Sequence, residues 1–287
     1  MNVTKIHKKG YGAVNEDAYA INRKNSIYAV MDGATGLESL SGDIASRAVQ
    51  QKMLQENPEQ TLLKRITQAN QFIAEETVKS YEAMEEKFAG SSIEDIPKLQ
   101  RSSTGAAIIQ LNQDLVSFDY VHAGDCMIIL QYENGDIRFI TYDLISSLDQ
   151  RAIEELVRLQ NETATKSLSF AEKKEHLKPL LKENRRQLNT KHGYGILDGS
   201  KAAIQHLEYG RIALKRVQQI LLISDGLQIP FGLEETKVWK KTAAYAFQHG
   251  LDKLLENIEN RETEDTECIV YPRLKPADDK TALLLEL

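Results

Sequence analysis

The chain has 287 residues, 41% hydrophobic and 27% charged, with a formal net charge of −6. That length allows one large domain or two small ones around a sizeable core. An acidic balance without a long basic run argues against nucleic acid or an anionic membrane as partner. The two cysteines, Cys126 and Cys268, are too few for a disulfide scaffold and are not spaced as a zinc site. They read as reduced thiols of a cytoplasmic protein. The first residues, Met1-Asn2-Val3-Thr4-Lys5, lack an apolar signal core, and no stretch is long and apolar enough to span a bilayer.

In chain order, residues 2–7 form a candidate strand, broken by Gly10 and Gly12. Residues 18–22 and 26–31 read as two strands of a hairpin, joined by the polar turn Arg23-Lys24-Asn25. A hairpin sets the start of its first strand beside the end of its second. Glu16 and Asp17 are thereby brought to Asp32, and three acids in one place repel one another unless a cation sits among them. Gly33, next to Asp32, lets backbone approach closely and frees its carbonyl for coordination.

Residues 42–55 and 61–88 have helical periodicity, and 89–101 reads as a loop. Four strands then follow at 103–111, 115–123, 127–133 and 137–142, with short turns that suggest an antiparallel meander. Residues 149–160 return to helix, and Ser169 to Glu172 has capping-box spacing for another that reaches about Leu188. Residues 217–224 are an apolar strand ending at Asp225-Gly226. Residues 234–260 are largely helical, 262–267 an acidic solvated loop, and 281–287 a last strand that joins the central sheets. No linker or repeat divides the chain, so residues 1–287 are expected to form one domain.

The acids Glu16, Asp17, Asp32, Asp125, Asp225 and Asp278 each sit at a strand end or a tight turn beside one. Each alone reads as a turn residue. An ordered set of oxygen ligands without cysteine or histidine points to a hard cation, Mg²⁺ or Mn²⁺. Two such ions about 3.5–4 Å apart share a water, acidify it and present it in line to a phosphorus.

The series Asn15-Glu16-Asp17-Ala18, Met31-Asp32-Gly33, Ser103-Thr104-Gly105-Ala106, Ala123-Gly124-Asp125, Ser224-Asp225-Gly226-Leu227 and Asp278-Asp279-Lys280-Thr281 resembles the PPM family. These are the metal-dependent Ser/Thr protein phosphatases, also called protein phosphatase 2C-like. The resemblance runs from about residue 10 to 287 and is closest to a divergent bacterial branch. It implies an α+β fold, an α-β-β-α sandwich of two antiparallel sheets flanked by helix pairs. It also implies a phosphorylated protein substrate and two Mn²⁺ or Mg²⁺ ions. Asp32 would bridge both ions and Gly33 would offer its carbonyl to one. Asp225 and Asp278 would complete one ion's ligands. Glu16, supported by Asp17, would serve the other. Asp125 matches the acid associated with a third, weaker ion.

Two departures stand out. Many members carry a phosphate-holding arginine four residues before the glutamate, where this chain has Gly12. Ala34-Thr35-Gly36 replaces a His-Gly-Gly or Met-Gly-Gly continuation, so an acid histidine is missing there. Arg185 or Arg186 is the candidate for the phosphate contact, since a guanidinium binds phosphate oxygens in a bidentate way. His192 is a weak general-acid candidate, and His122, in an apolar strand, reads as core. The expected function is hydrolysis of phosphoserine or phosphothreonine in a monomeric cytoplasmic signalling enzyme. The alternatives are a phosphatase-like sensing module without catalysis, or a hydrolase of a small phosphoester.

Overall fold

The structure, a computed structural model, describes residues 1–37, 40–57, 60–84, 92–165 and 167–287. Its strands are β1 (Asn2–Lys8), β2 (Ala18–Asn22), β3 (Ile27–Ala34), β4 (Ser103–Leu111), β5 (Ser117–Ala123), β6 (Met127–Tyr132), β7 (Ile137–Phe139), β8 (Glu208–Ala213), β9 (Val217–Ile223) and β10 (Lys280–Glu286). Its helices are α1 (Asp43–Leu54), α2 (Leu62–Met84), α3 (Ser146–Asn161), α4 (Phe170–Arg186), α5 (Lys201–Gln205), α6 (Val238–His249) and α7 (Leu251–Glu264).

The strands make two antiparallel five-stranded sheets, ordered β1-β10-β9-β6-β7 and β2-β3-β4-β5-β8. Alternation along the strands builds three apolar layers. Ala29, Met31 and Ile108 face α1 and α2, where Val49, Met53, Ile66 and Ile73 meet them. Tyr28, Val30, Ile109 and Phe118 face Ile128, Ile220, Leu222 and Leu283 across the gap between the sheets. Ile129, Leu221 and Ile223 face Ala243, Ala246, Leu254 and Ile258 of α6 and α7. This is the expected α-β-β-α sandwich. Burial on both faces explains why the central strands read as continuous apolar runs.

Several elements differ from the sequence reading. The strands after α2 are not one meander. β4 pairs β5, but β5 then pairs β8 while β6 pairs β9 and β7. Gly124-Asp125 is therefore a corner between the sheets. A two-residue turn between apolar strands looks the same in sequence whether the strands pair or part; the partners decide. Gly124 has φ +78°, which favours glycine, and a Cβ there would lie 3.0 Å from Gly105 Cα. β8 escaped sequence reading because it is an edge strand whose side chains are largely exposed.

The stretch 234–260 is two helices, parted at Gly250 with φ +81°. The stretch 262–267 is not a solvated loop. α7 runs to Glu264, and buried Asp265 accepts from the N–H groups of Ile269, Val270 and Tyr271 and pairs with Arg273 at 3.0 Å. An acidic run on a sequence does not reveal that its carboxylates have such partners. The capping box is realised: Ser169 Oγ accepts from Glu172 N–H, and the Glu172 carboxylate accepts from Ser169 N–H. Of the helix expected at 61–88, residues 62–84 are helical and 85–88 lie outside the described residues, as do 89–91 of the expected loop.

Candidate active site

The ends of both sheets bring the acids together. β3 delivers Asp32, and its register puts Asp32 opposite Gly105. The start of β2 faces the end of β3, Ala18 against Met31, so Asp17 comes beside Asp32. In the other sheet, Ile223 at the end of β9 lies between Ala282 of β10 and Met127 of β6. Asp225, Asp278 and Asp125 therefore emerge at the same end. The corner after β5 carries Asp125 across the gap. Glycines make room: a Cβ on Gly105 would lie 2.9 Å from Asp125 Oδ1, and one on Gly226 would lie 1.9 Å from Asp279 O.

Asp32 and Asp225 lie close enough that each shifts the other's carboxyl. Burial and the charges of Asp17, Asp225 and Asp125 raise the Asp32 carboxyl well above its usual range. Burial and then Asp225 do the same to Asp125, and burial and then Asp278 raise Asp225. Asp17 is pushed up to about 8, chiefly by burial, against hydrogen bonds from Thr281 and Ser224 that lower it. Ser224 Oγ reaches Asp17 Oδ2 at 2.8 Å.

Two residues missed in sequence join them. Asp149, in the first turn of α3, is raised to about 7 by burial and then by Asp225 and Asp143. Lys275 Nζ lies 2.6 Å from Asp278 Oδ1. Asp149 sits in no motif, and a lysine three residues before an aspartate carries no signal by itself. Asp279 was visible in a motif without a role. Its Oδ1 accepts from Gly10 N–H and its Oδ2 from Glu16 N–H, each at 2.7 Å, which staples the 10–16 loop to β10.

The carboxylate of Glu16 is held at the start of α1. Its Oε1 accepts from Thr35 Oγ1, from Ser41 Oγ at 2.9 Å and from Gly42 N–H at 2.8 Å, at the start of α1. A carboxylate there also meets the positive end of the helix. Gly33 is locked beneath it, since a Cβ would lie 2.2 Å from Glu16 O and 2.8 Å from Gly42 O. Thr104 Oγ1 donates to Asp32 O at 2.8 Å and fixes the strand end.

The arginines divide. Arg185 is buried, and its Nη2 donates to Ala34 O at 3.3 Å and Arg101 O at 2.9 Å; its buried Nε has no hydrogen-bond partner among the described residues. Arg186 is exposed. With Leu37, Leu148, Asp149, Asn184 and Tyr194, Arg185 lines a cavity of about 150 Å³. The segment after it is pinned by buried Asp198, which pairs with Arg101 at 3.1 Å and accepts from Asn189 Nδ2 at 3.0 Å. His192 is exposed. His122 is fully buried, with Glu208 Oε2 3.4 Å from its Nδ1 and no hydrogen bond to its ring nitrogens among the described residues. Trp239 is only partly buried and donates Nε1–H to Asp143 Oδ2 at 2.9 Å.

The sequence matches the family profile for protein phosphatase 2C over residues 7–264. The chain belongs to the protein phosphatase 2C family. It is a phosphatase of the metal-dependent phosphoprotein class. Its fold is that of bacterial protein phosphatase 2C structures. The serine/threonine phosphatase PstP/Ppp of Mycobacterium tuberculosis superposes with a TM-score of 0.57 at 17% identity, covering 100% of this chain and 98% of that one. The PstP catalytic domain solved in complex with two manganese ions gives 0.56 at 17%, covering 99% and 97%. Stp1 of Staphylococcus aureus gives 0.54 at 15%, covering 99% and 94%. No curated protein matches the sequence.

Among the described residues, no three His, Cys, Asp or Glu side chains stand ready-made around a metal position. Lys275 holds Asp278, and the start of α1 holds Glu16. The donor set nevertheless fits a hard divalent cation of the protein phosphatase 2C type. It is all oxygen and crowded with negative charge, which the ammonium of Lys275 offsets only in part. Among the described residues no helix is long and apolar enough to cross a membrane.

Proposed function

We propose that this protein phosphatase 2C member hydrolyses phosphoserine or phosphothreonine in proteins, with two Mn²⁺ or Mg²⁺ ions and a water as nucleophile. The observation that carries the reading is the convergence of Asp17, Asp32, Asp125, Asp225 and Asp278 at one end of both sheets. Asp32, facing acids from both sheets, is the proposed shared ligand, with the Gly33 carbonyl beside it. Asp225 and Asp278 would hold one ion and Glu16 the other, directly or through water. Asp125 would serve a third, weaker ion. Bound there, such ions supply charge to the phosphoryl oxygens and acidify a water.

The chain's own groups do the rest. Ser224 and Thr281 hold Asp17 behind Asp32. Thr104 fixes the backbone of Asp32, and Asp279 holds the 10–16 loop over the site. Asp149, pushed up to about 7 in the metal-free chain by burial and then by Asp225 and Asp143, adds a further carboxyl beside the same acids. The free, buried state of Cys126 and Cys268 fits a reducing compartment, and we place the enzyme in the cytoplasm as a single-domain monomer.

The test is release of phosphate from a phosphopeptide library with and without Mn²⁺, beside a set of small phosphoesters. Manganese-dependent turnover of phosphoserine or phosphothreonine peptides is expected. Turnover confined to small esters supports the alternative hydrolase, and none on either set supports a sensing module.

A further inference from the structure

The position that carries a phosphate-holding arginine in many relatives is Gly12, exposed in the loop between β1 and β2. The lysines beside it are engaged elsewhere. Lys8 pairs with Glu259 of α7, and Lys9 Nζ donates to Ala13 O at 3.3 Å. Arg185 has its Nη2 on two backbone carbonyls, so it braces the end of β3.

The loop itself is stitched to a segment that does carry a cation at the site. Tyr11 N–H donates to Ala277 O at 3.0 Å and Gly10 N–H to Asp279 Oδ1 at 2.7 Å. Gly10 packs so closely that a Cβ would lie 2.3 Å from the carbonyl carbon of Asp278. Lys275 belongs to this segment. Its ammonium is 2.6 Å from Asp278 Oδ1, yet its side chain is 48% exposed. The charges of Asp32 and Asp225 act on it as well. We propose that Lys275 is the cation that holds the substrate's phosphoryl group, supplying from the neighbouring segment what Gly12 lacks. The proposal rests on the phosphatase reading of the same acids.

The physical argument is one of charge exchange. Among the described residues the Lys275 ammonium is the one paired with an Asp278 carboxylate oxygen, while Lys174 acts on Asp278 from farther off. Were Asp278 to hold a divalent ion, its Oδ1 would no longer be free to hold this ammonium. Lysine is a compact point charge on a flexible stem, so the ammonium stays near the acids but changes partner. An anion presented at the mouth of the cluster would then compete with Asp149 for it, and a phosphate contact of this kind is charge-assisted. The half-exposed side chain has room for that movement, whereas buried Arg185 does not.

The test uses the full chain and two variants, Lys275→Met and Lys275→Gln, with Lys275→Arg as the conservative one. Inorganic phosphate is titrated calorimetrically into each protein at saturating Mn²⁺, and KM and kcat are measured on one phosphopeptide. Loss of a charged hydrogen bond should weaken phosphate about tenfold in Lys275→Met and Lys275→Gln. KM should rise by about the same factor while kcat changes less than about threefold, and Lys275→Arg should keep most of both. Unchanged phosphate affinity and KM overturn the proposal. So does tighter Mn²⁺ binding with unchanged phosphate affinity, which makes Lys275 only a competitor of the metal. If the wild type binds phosphate with Mn²⁺ but hydrolyses no phosphopeptide, the phosphatase reading fails, and the phosphate titration still decides the role of Lys275.

Discussion

Asp32, in β3 of one sheet, lies beside Asp225, which follows β9 of the other, and the charge of Asp225 helps raise the Asp32 carboxyl. Two carboxyls from different sheets are thus neighbours at the place where the sheets' ends meet. The arrangement makes Asp32 the residue on which both halves of the proposed site depend.

Asp32→Asn should therefore cost more activity than Glu16→Gln. Asp32 faces acids of both sheets, whereas Glu16 stands against the start of α1. The amides keep the size of the carboxyls, so the difference reports charge. The expected loss in Asp32→Asn exceeds about 100-fold, beyond what a supporting partner costs. Raised Mn²⁺ should rescue Glu16→Gln and not Asp32→Asn. Calorimetric titration with Mn²⁺ checks this, and two ions bound at wild-type affinity by Asp32→Asn would remove its bridging role.

Asp225→Ala should separate stability from activity. The residue follows β9 and is half-buried among acids that raise its carboxyl. Its removal should abolish manganese-dependent turnover and yet leave the metal-free protein as stable as wild type or more so. Each kcal/mol of relieved repulsion should raise Tm by about 2–4 °C. Thermal melts in chelator measure it, and a Tm well below wild type would show that Asp225 has a packing role instead.

The pH dependence has a definite sign. Asp149 and Asp17 have folded pKa values of about 7 and about 8, above the ordinary carboxyl range. A raised folded value means the folded chain binds protons more tightly than the unfolded one. The associated stability is present below the unfolded pKa of about 4 and lost as pH rises through 7 and 8. In chelator, Tm should fall between pH 5 and pH 8.5 by this contribution. Saturating Mn²⁺ should flatten or reverse the trend, because coordination favours the ionised carboxylates. A metal-free Tm that rises over that range would contradict the site's electrostatics.

Gly33→Ala should destabilise through backbone, not chemistry. The added Cβ would meet Glu16 O at 2.2 Å and Gly42 O at 2.8 Å, and neither is a flexible side-chain end. Overpacking of this kind costs about 1–3 kcal/mol. Denaturant unfolding in chelator measures it, and wild-type stability would mean the loop before β2 shifts freely.

Gly12→Arg should lower KM for a phosphopeptide more than it raises kcat, because a contact already made to bound substrate acts mainly on binding. The backbone there admits a side chain, the nearest atom to its Cβ being Val14 O at 3.2 Å. The gain should be larger in a Lys275→Met background than in wild type, since the two cations would serve one phosphate. Steady-state kinetics on the four proteins tests this, and an unchanged KM in both backgrounds would place position 12 away from the phosphate.

Much of the architecture follows from local pattern. β2 and β4 lie at 18–22 and 103–111, as alternation and turn residues indicate. The capping box starts α4 where Ser169 and Glu172 place it. The acids before or after strands were legible because a strand end fixes where a side chain emerges. What local pattern lacks is the identity of a strand's partner. Gly124-Asp125 reads as a hairpin turn, and only the pairing of β5 with β8 and of β6 with β9 makes it a corner that delivers Asp125 to the gap between sheets. Lys275 and Asp149 come from segments without a motif, and each gains its meaning from acids distant in sequence. Glu16 shows the same limit: the hairpin puts its backbone near Asp32, but the start of α1 decides where its carboxylate lies. Sequence by itself determined the period of each element and the chemical type of its ends. Tertiary structure decided which ends meet, because pairing and electrostatic fields act through space between residues that the chain order leaves far apart.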